Sequence, residues 1–319
     1  MSLEVKVTPV LDSMSIDSHE FDDVPVYEGE IENEATVLPQ DCFLGAWYRK
    51  FVSSVDYWLG IEGIITLGEF TPDEDRFNLD GKHRYMDNPS VYMGGKASLE
   101  SDCGLNWNIG YEKAGDNQVL DYGSKKVAWR PFWRYIYNDV KDENGNVLRG
   151  SYNSWNVCDP SNLGYYYLPG DTIKMSVYSV KPDYLQMRIE VIKPTSIPKY
   201  VKQREQYNLK NNMPYTFYSP IFHSKGHGVS KAEFKRVNSI DQYNNEGYKV
   251  SDTKATVSKA TWHECYLYRR INGKLYKVPF TTKRAFSMIC PTRTAMSVNY
   301  DDVDVNKGGE NIILHPQSK

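Results

Sequence analysis

Three glutamates, Glu62, Glu100 and Glu190, each fall on the polar phase of a segment whose alternate residues are apolar. Successive side chains of a strand point to opposite faces, so that phase says which residues share a surface. In 57–67, Tyr57, Leu59, Ile61 and Ile65 form the apolar set, which leaves Trp58 and Glu62 together on the other side. From Ala97 onward the odd positions Leu99, Cys103, Leu105, Trp107 and Ile109 are apolar, and Glu100 and Asp102 lie opposite them. In 184–192, Leu185, Met187, Ile189 and Val191 alternate with Tyr184, Gln186, Arg188 and Glu190. Strands that each offer a carboxylate or a tryptophan on the polar side describe a curved sheet with a ligand-binding concave face. An antiparallel sheet that leaves one side in water carries the same pattern, so phase alone leaves both readings open.

Other constellations carry less chemistry. His223 and His227 have the spacing of a helical metal pair, but Gly226 and Gly228 break a helix there and no glutamate lies inside the motif, so the stretch reads as a loop. His263 sits in phase with Cys265 and Leu267 and reads as a partly buried histidine. Asp301, Asp302 and Asp304 supply oxygen atoms without the spacing of a calcium loop. There is no glycine-rich phosphate loop, and lysines and arginines are dispersed, so the reading has no metal, no other cofactor and no nucleic acid partner. Five cysteines without C-x-x-C spacing argue against zinc or redox chemistry. An odd count leaves at least one thiol free, and Cys103 and Cys265 read as small core residues.

The elements that must position these groups are strands. The 319 residues are 40% hydrophobic and include 25 Tyr, 7 Trp and 11 Phe, an aromatic excess that favours sheets. Strand-like runs recur from about residue 45 to 314, separated by turn signals such as Ile271-Asn272-Gly273-Lys274, which predicts a tight hairpin. No amphipathic helix and no internal repeat stand out. No apolar run approaches the ~20 residues of a membrane span, and the N-terminus lacks the basic-then-apolar layout of a signal peptide. Residues 1–40 hold ten acidic residues against Lys6, while the rest of the chain is basic on balance. The expected organisation is an acidic N-terminal arm, 1–40, and one antiparallel β-sandwich domain, 41–319. Such an arm could lie on a basic body, its own or a neighbour's, which would make self-association through residues 1–40 a third functional class beside binding and catalysis.

Three stretches read together resemble the glutamic peptidase family, which has the concanavalin A-like jelly-roll fold. Trp58-Leu59-Gly60-Ile61-Glu62-Gly63 is similar to that family's Trp-Val-Gly-Ile-Asp-Gly strand. Ser98-Leu99-Glu100-Ser101 is similar to the strand bearing its catalytic glutamine, and Gly170-Asp171-Thr172-Ile173-Lys174-Met175 through Glu190 to the region bearing its catalytic glutamate. The resemblance thus implies Glu100 and Glu190 as a catalytic pair. Two departures bear on mechanism. An ionised Glu100 accepts hydrogen bonds but cannot donate one to an oxyanion, and Arg134 stands where the family carries an acid. The same layout also resembles uncharacterised secreted proteins of spore-forming bacteria, which implies an extracellular or spore-associated setting and no particular chemistry. Two facing glutamates would alternatively suit glycoside hydrolysis, for which carboxyl separations of ~5–5.5 or ~6.5–9.5 Å are required, with Trp58, Trp129 and Trp133 as sugar platforms.

The expectation is therefore a non-catalytic or weakly catalytic sandwich that binds a glycan or peptide on a concave face built from Trp58, Glu62, Glu100, Trp129, Trp133, Arg134 and Glu190. The alternatives are a hydrolase using Glu100 and Glu190, and a self-assembling protein using its arm.

Overall fold

The computed structural model describes residues 5–8, 18–81, 84–107, 128–136, 153–158, 166–206 and 216–317. The first strands are β1 (Val5–Thr8), β2 (Ala46–Ser53), β3 (Trp58–Thr66), β4 (Phe70–Thr71), β5 (Asp87–Lys96) and β6 (Glu100–Trp107). There follow β7 (Trp129–Ile136), β8 (Asn153–Cys158), β9 (Thr172–Lys181), β10 (Tyr184–Lys193), helix α1 (Pro198–Gln206), β11 (Phe217–Tyr218) and β12 (Phe222–His223). The last are β13 (Glu233–Gln242), β14 (Thr256–Ile271), β15 (Lys274–Pro279), β16 (Ala285–Cys290), β17 (Met296–Asn299) and β18 (Glu310–Leu314).

These strands form an eight-stranded sheet, β1-β8-β7-β6-β5-β13-β2-β16, and a ten-stranded sheet built on β11-β10-β9-β3-β14-β18-β17 with β4, β12 and β15 attached. Apart from the parallel β1–β8 pair the ladders between strands are antiparallel. The inner faces meet in one apolar core, where Cys103 and Leu105 of one sheet join Ile61, Met187 and Ile189 of the other. The fold is the expected antiparallel sandwich of jelly-roll type. Its alternating segments bury one phase between the sheets and turn the other phase outward. The Asn272–Gly273 turn has positive φ at both residues, 51° and 80°, as a two-residue hairpin linking β14 and β15 requires.

Helix α1 departs from the helix-free reading. It has too few apolar residues to show a stripe; Tyr200 joins the core, and polar bonds supply the rest of its anchorage. Arg204 Nη2 donates to both oxygens of buried Asp171 at 2.6 and 2.5 Å, and Asp171 also accepts the backbone N–H groups of Leu168 and Thr195. Pro198 suits the first helical turn, where its missing N–H costs nothing.

The arm lies on the body of its own chain. Phe21 and Val24 are buried against Tyr178, Tyr268 and Leu275. Tyr27 N donates to Lys277 O at 2.9 Å and Lys277 N to Pro25 O at 3.0 Å, adding a short parallel bridge to the edge of β15. Ala35 N donates to Asp56 Oδ2 at 2.9 Å, and Glu34 pairs with Arg284 at 3.0 Å. A disulfide joins Cys42 to Cys290, with Cα atoms 5.9 Å apart, while Cys103 and Cys265 are buried free thiols. The arm's acidic residues Glu4, Asp12 and Asp17 lie outside the described residues.

Candidate functional site

On the outer face of the eight-stranded sheet the register sets side chains in rows. One row runs Lys235, Gly94, Asp102, Arg134 and the next runs Glu233, Lys96, Glu100. Strands lie about 4.8 Å apart, so Lys235 on β13 and Asp102 on β6 are two strand spacings from one another. Gly94 between them has no side chain, and the lysine reaches across β5 over that gap. Its Nζ contacts Asp102 Oδ1 at 2.8 Å and forms an ion pair with Glu100. Arg134 completes the row, with Nε and Nη2 on Asp102 Oδ2 at 2.8 and 2.7 Å.

Buried charges are tolerated only when paired, and here the pairing decides the protonation states. Burial opposes ionisation of Asp102, but Lys235 and Arg134 outweigh it and bring the carboxyl down to about 2. Lys235 beside Glu100 holds that carboxyl below the usual range against the pull of burial and of Asp102. Both acids are therefore ionised and neutralised, so neither is a proton donor at neutral pH. One row away, Tyr92 meets Phe132 edge-on at 6.1 Å across Gly104. Asp241, at the far end of the face, accepts from Ser90 Oγ at 2.8 Å and Ser239 Oγ at 2.9 Å. Burial pushes it up to about 6.

The end of the arm enters this face. The Gln40 carboxamide sits between Lys50 and Glu233: Lys50 Nζ donates to Oε1 at 2.7 Å, and Nε2 donates to Glu233 Oε2 at 2.7 Å. A cation on the carbonyl oxygen and a carboxylate on the nitrogen permit one orientation of the amide. Burial, reinforced by the like charge of Lys235, lowers the Lys50 ammonium to about 8 despite Glu233, Glu100 and Asp102. Phe43 stacks on Tyr48 with ring centres 3.8 Å apart and planes at 4°, and the Cys42–Cys290 bond pins the chain beside it.

The outer face of the ten-stranded sheet carries a second polar cluster. Glu62 accepts from Tyr268 Oη at 2.5 Å and Lys277 Nζ at 2.6 Å, with Lys174 Nζ at 3.3 Å. Burial raises its pKa, and Lys277 and Lys174 more than reverse the effect. Glu190 is paired with Arg188 at 2.9 Å, and Arg188 is also paired with Asp22 of the arm.

The expected concave face is thus divided. Glu100 and Arg134 share the outer side of one sheet, Glu62 and Glu190 that of the other, and the apolar core lies between them. A Glu100–Glu190 catalytic pair has no structural basis, because β6 and β10 belong to different sheets and each residue points away from the core. The three tryptophans are corrected as well. Trp58, Trp129 and Trp133 are all core residues. Trp58 Nε1 donates to Ser54 O at 3.1 Å, Trp129 Nε1 donates to Gly68 O at 3.0 Å, and Trp133 packs on Phe217 at 5.8 Å. The reason for Trp58 is a register shift. Gly60 opposes Tyr268 but Trp58 opposes Arg269, so Leu59 is an extra residue and the phase reverses across it. A similar shift at Trp262/Glu264 turns His263 out of phase with Cys265, to an exposed position where Nε2 meets Thr66 Oγ1 at 2.8 Å.

Sequence reasoning missed Gln40, Lys50, Glu233 and Lys235. Glu233 and Lys235 do alternate with Ala232 and Phe234, a usable signal, but Arg236 on the inner phase spoils the pattern. Among the described residues no group of three or more His, Cys, Asp or Glu is arranged to hold a metal ion, and no helix is long and apolar enough to cross a membrane.

No protein-family model matches the sequence, and no curated protein does. Solved structures share the sandwich at low identity. Scytalido-glutamic peptidase, crystallised with a peptide-based transition state analogue, is 8% identical with a TM-score of 0.45, over 85% of this chain and 98% of that one. SCP-B, a member of the eqolisin family of peptidases solved with the tripeptide Ala-Ile-His, is 9% identical with a TM-score of 0.40 over the same shares. The catalytic domain of PdAgaC is 10% identical with a TM-score of 0.27, over 69% of this chain and 73% of that one. The likeness is a distant one of strand arrangement, and no chemistry follows from it.

Proposed function

We propose that the outer face of the eight-stranded sheet binds peptide, gripping an amide between the Lys50 ammonium and the Glu233 carboxylate. The supporting observation is the Gln40 carboxamide, already held there by a 2.7 Å bond on each side. Glu100 and Arg134, both partly accessible, offer a charge of each sign to the flanking parts of such a ligand. The glycan alternative loses its basis once Trp58, Trp129 and Trp133 are in the core, since stacking platforms must be exposed to meet a sugar.

The test is calorimetric titration of the full chain and its Gln40→Ala variant with short neutral peptide amides. Emptying the clasp should tighten binding at least about tenfold, because the internal competitor is gone. Affinity should fall as pH rises through about 8, where Lys50 loses the positive charge that strengthens its bond to the carbonyl oxygen. A folded Gln40→Ala protein that ignores these peptides, or binds them equally well after Lys50→Met, sinks the reading.

Amide hydrolysis is a second reading, favoured by the same clasp and by the row Glu233–Lys96–Glu100, which sets Glu233 and Glu100 on one face, on either side of Lys96. In it the Glu233 carboxylate takes a proton from water as the water oxygen bonds to the carbonyl carbon, Lys50 faces the charge that develops on the carbonyl oxygen, and the protonated Glu233 then passes that proton to the nitrogen as the C–N bond breaks. Mass spectrometry of a peptide pool incubated with Gln40→Ala, with Glu233→Gln added as control, decides it. An uncleaved pool removes hydrolysis and leaves binding untouched.

A further inference from the structure

Gln40, Lys50 and Glu233 are also the three groups that formation of a new amide needs: a carbonyl, an amine and a base. Lys50 Nζ lies 2.7 Å from Gln40 Oε1. A carbonyl bond is about 1.23 Å long, so that nitrogen is no more than about 3.9 Å from Gln40 Cδ. Reacting atoms attack from ~3–3.5 Å, and a small swing of the lysine off its hydrogen-bonding line closes the gap. On the other side of the amide, Glu233 Oε2 accepts at 2.7 Å from Nε2, the nitrogen that such a reaction expels.

The fold holds these groups in register. Tyr48 of β2 pairs with Cys290 of β16, and the Cys42–Cys290 disulfide ties the arm to that row. Phe43 stacks on Tyr48 and its N–H donates to Tyr48 Oη at 2.8 Å. Gln40 comes two residues before Cys42 and Lys50 two residues after Tyr48, so pinning one row sets the amide over the amine. The amine is also activated. Burial and Lys235 bring Lys50 down to about 8, where about half of it is neutral and nucleophilic, whereas an exposed lysine at that pH is less than about 1% neutral.

We propose that the clasp is a self-modification site, where Lys50 and Gln40 join in an intramolecular amide with loss of ammonia and Glu233 is the base. The lone pair of neutral Nζ forms the new bond to Cδ while the carbonyl pair moves to Oε1. Glu233 takes a proton from Nζ and delivers it to Nε2, the pair on Oε1 returns, and the Cδ–Nε2 bond breaks. One C–N bond replaces another, the leaving group is NH3, and nothing is oxidised or reduced. The product ties the arm to β2 by a bond that a reductant leaves intact, beside a disulfide that it cuts. The cross-link rests on the geometry of the clasp and not on peptide binding. Gln40→Ala, which has no amide to join, is the chain that tests binding, and the parent chain tests the cross-link.

The intact mass of the full chain, measured after reduction and denaturation, decides the matter. Following incubation at about pH 8.5, where most of Lys50 is neutral, the mass should fall by about 17 Da, one ammonia. Trypsin should then leave residues 7–49 joined to residues 50–76, which cleavage at Arg49 and Lys50 otherwise separates. Lys50→Arg and Gln40→Ala should abolish the loss, and Glu233→Gln should slow it at least about 100-fold. The rate should climb as pH rises through about 8 and level off above it. A parent chain that keeps its full mass with its disulfide intact overturns the proposal, and so does an ammonia loss that maps to other residues. A gain of about 1 Da at Gln40 assigns the clasp to attack by water and overturns it too. Should Glu233→Gln fail to fold, the joined fragments and the pH profile of the parent chain still decide.

Discussion

The two outer faces solve one problem in different ways. Each must carry ionised side chains on a sheet that is apolar beneath. On the eight-stranded sheet the charges are bound to one another across strands, with Lys235 spanning β5 over Gly94, and the neighbouring Tyr48, Tyr92, Phe132 and Met288 are buried with them. On the ten-stranded sheet the cover is borrowed, since Phe21 and Val24 come from the arm. On the ten-stranded sheet too the charges pair across strands, Glu62 with Lys174 and Lys277, so the difference lies in the apolar cover, which one sheet supplies itself and the other takes from the arm. On the eight-stranded face the cation that neutralises the acids is Lys235 of the sheet itself.

The largest expected effect follows from that. Lys235→Met removes the cation shared by Glu100 and Asp102 and leaves an acid pair against Arg134 alone, which should cost about 3–5 kcal/mol in urea melts. A cost below about 1 kcal/mol would mean that water reaches the row, and the contrast between faces would collapse. On the other face, Phe21→Ala should cost about 1.5–3 kcal/mol, the value of one buried aromatic anchor, while the sheet keeps its native dichroism.

Smaller effects sharpen the contrast. Asp241 has its folded pKa raised to about 6. The native state therefore holds a proton that the unfolded state releases near 4, and this contribution to stability is complete below about 4 and lost as pH rises through about 6. Asp241→Asn should remove that fall and leave the protein about 1–2 kcal/mol more stable than the parent at pH 8. The smallest change is expected at the exposed Glu20–Arg270 pair, where Glu20→Gln should cost no more than about 0.5 kcal/mol and nothing in high salt.

Much of the fold was legible because phase is local. Leu99, Cys103, Leu105 and Trp107, and likewise Leu185, Met187 and Ile189, face the core as their alternation predicts. The candidate site was less legible, for three physical reasons. A one-residue bulge reverses phase, which misplaced Trp58. Which strands share a sheet is a non-local fact, and that separated Glu190 from Glu100. Finally, polar residues also occupy the inner phase. Arg49 and Arg236 both bond Glu310 inside the sandwich, at 2.8 and 3.0 Å, and in a sequence such residues look like solvent-facing ones. No residue pattern links Gln40 to Lys50 and Glu233, since the contact depends on how the arm wraps.

The Cys42–Cys290 bond, which anchors the arm, also alters what a cut in the chain would do. It joins residues 248 apart in sequence, so nearly the whole sandwich lies within one covalent ring. A protease that nicks any single loop inside the ring opens it into one branched polymer rather than two fragments. The nicked protein should migrate as a single species on a denaturing gel until a reductant is added, and its sheets would stay tethered while they reassemble.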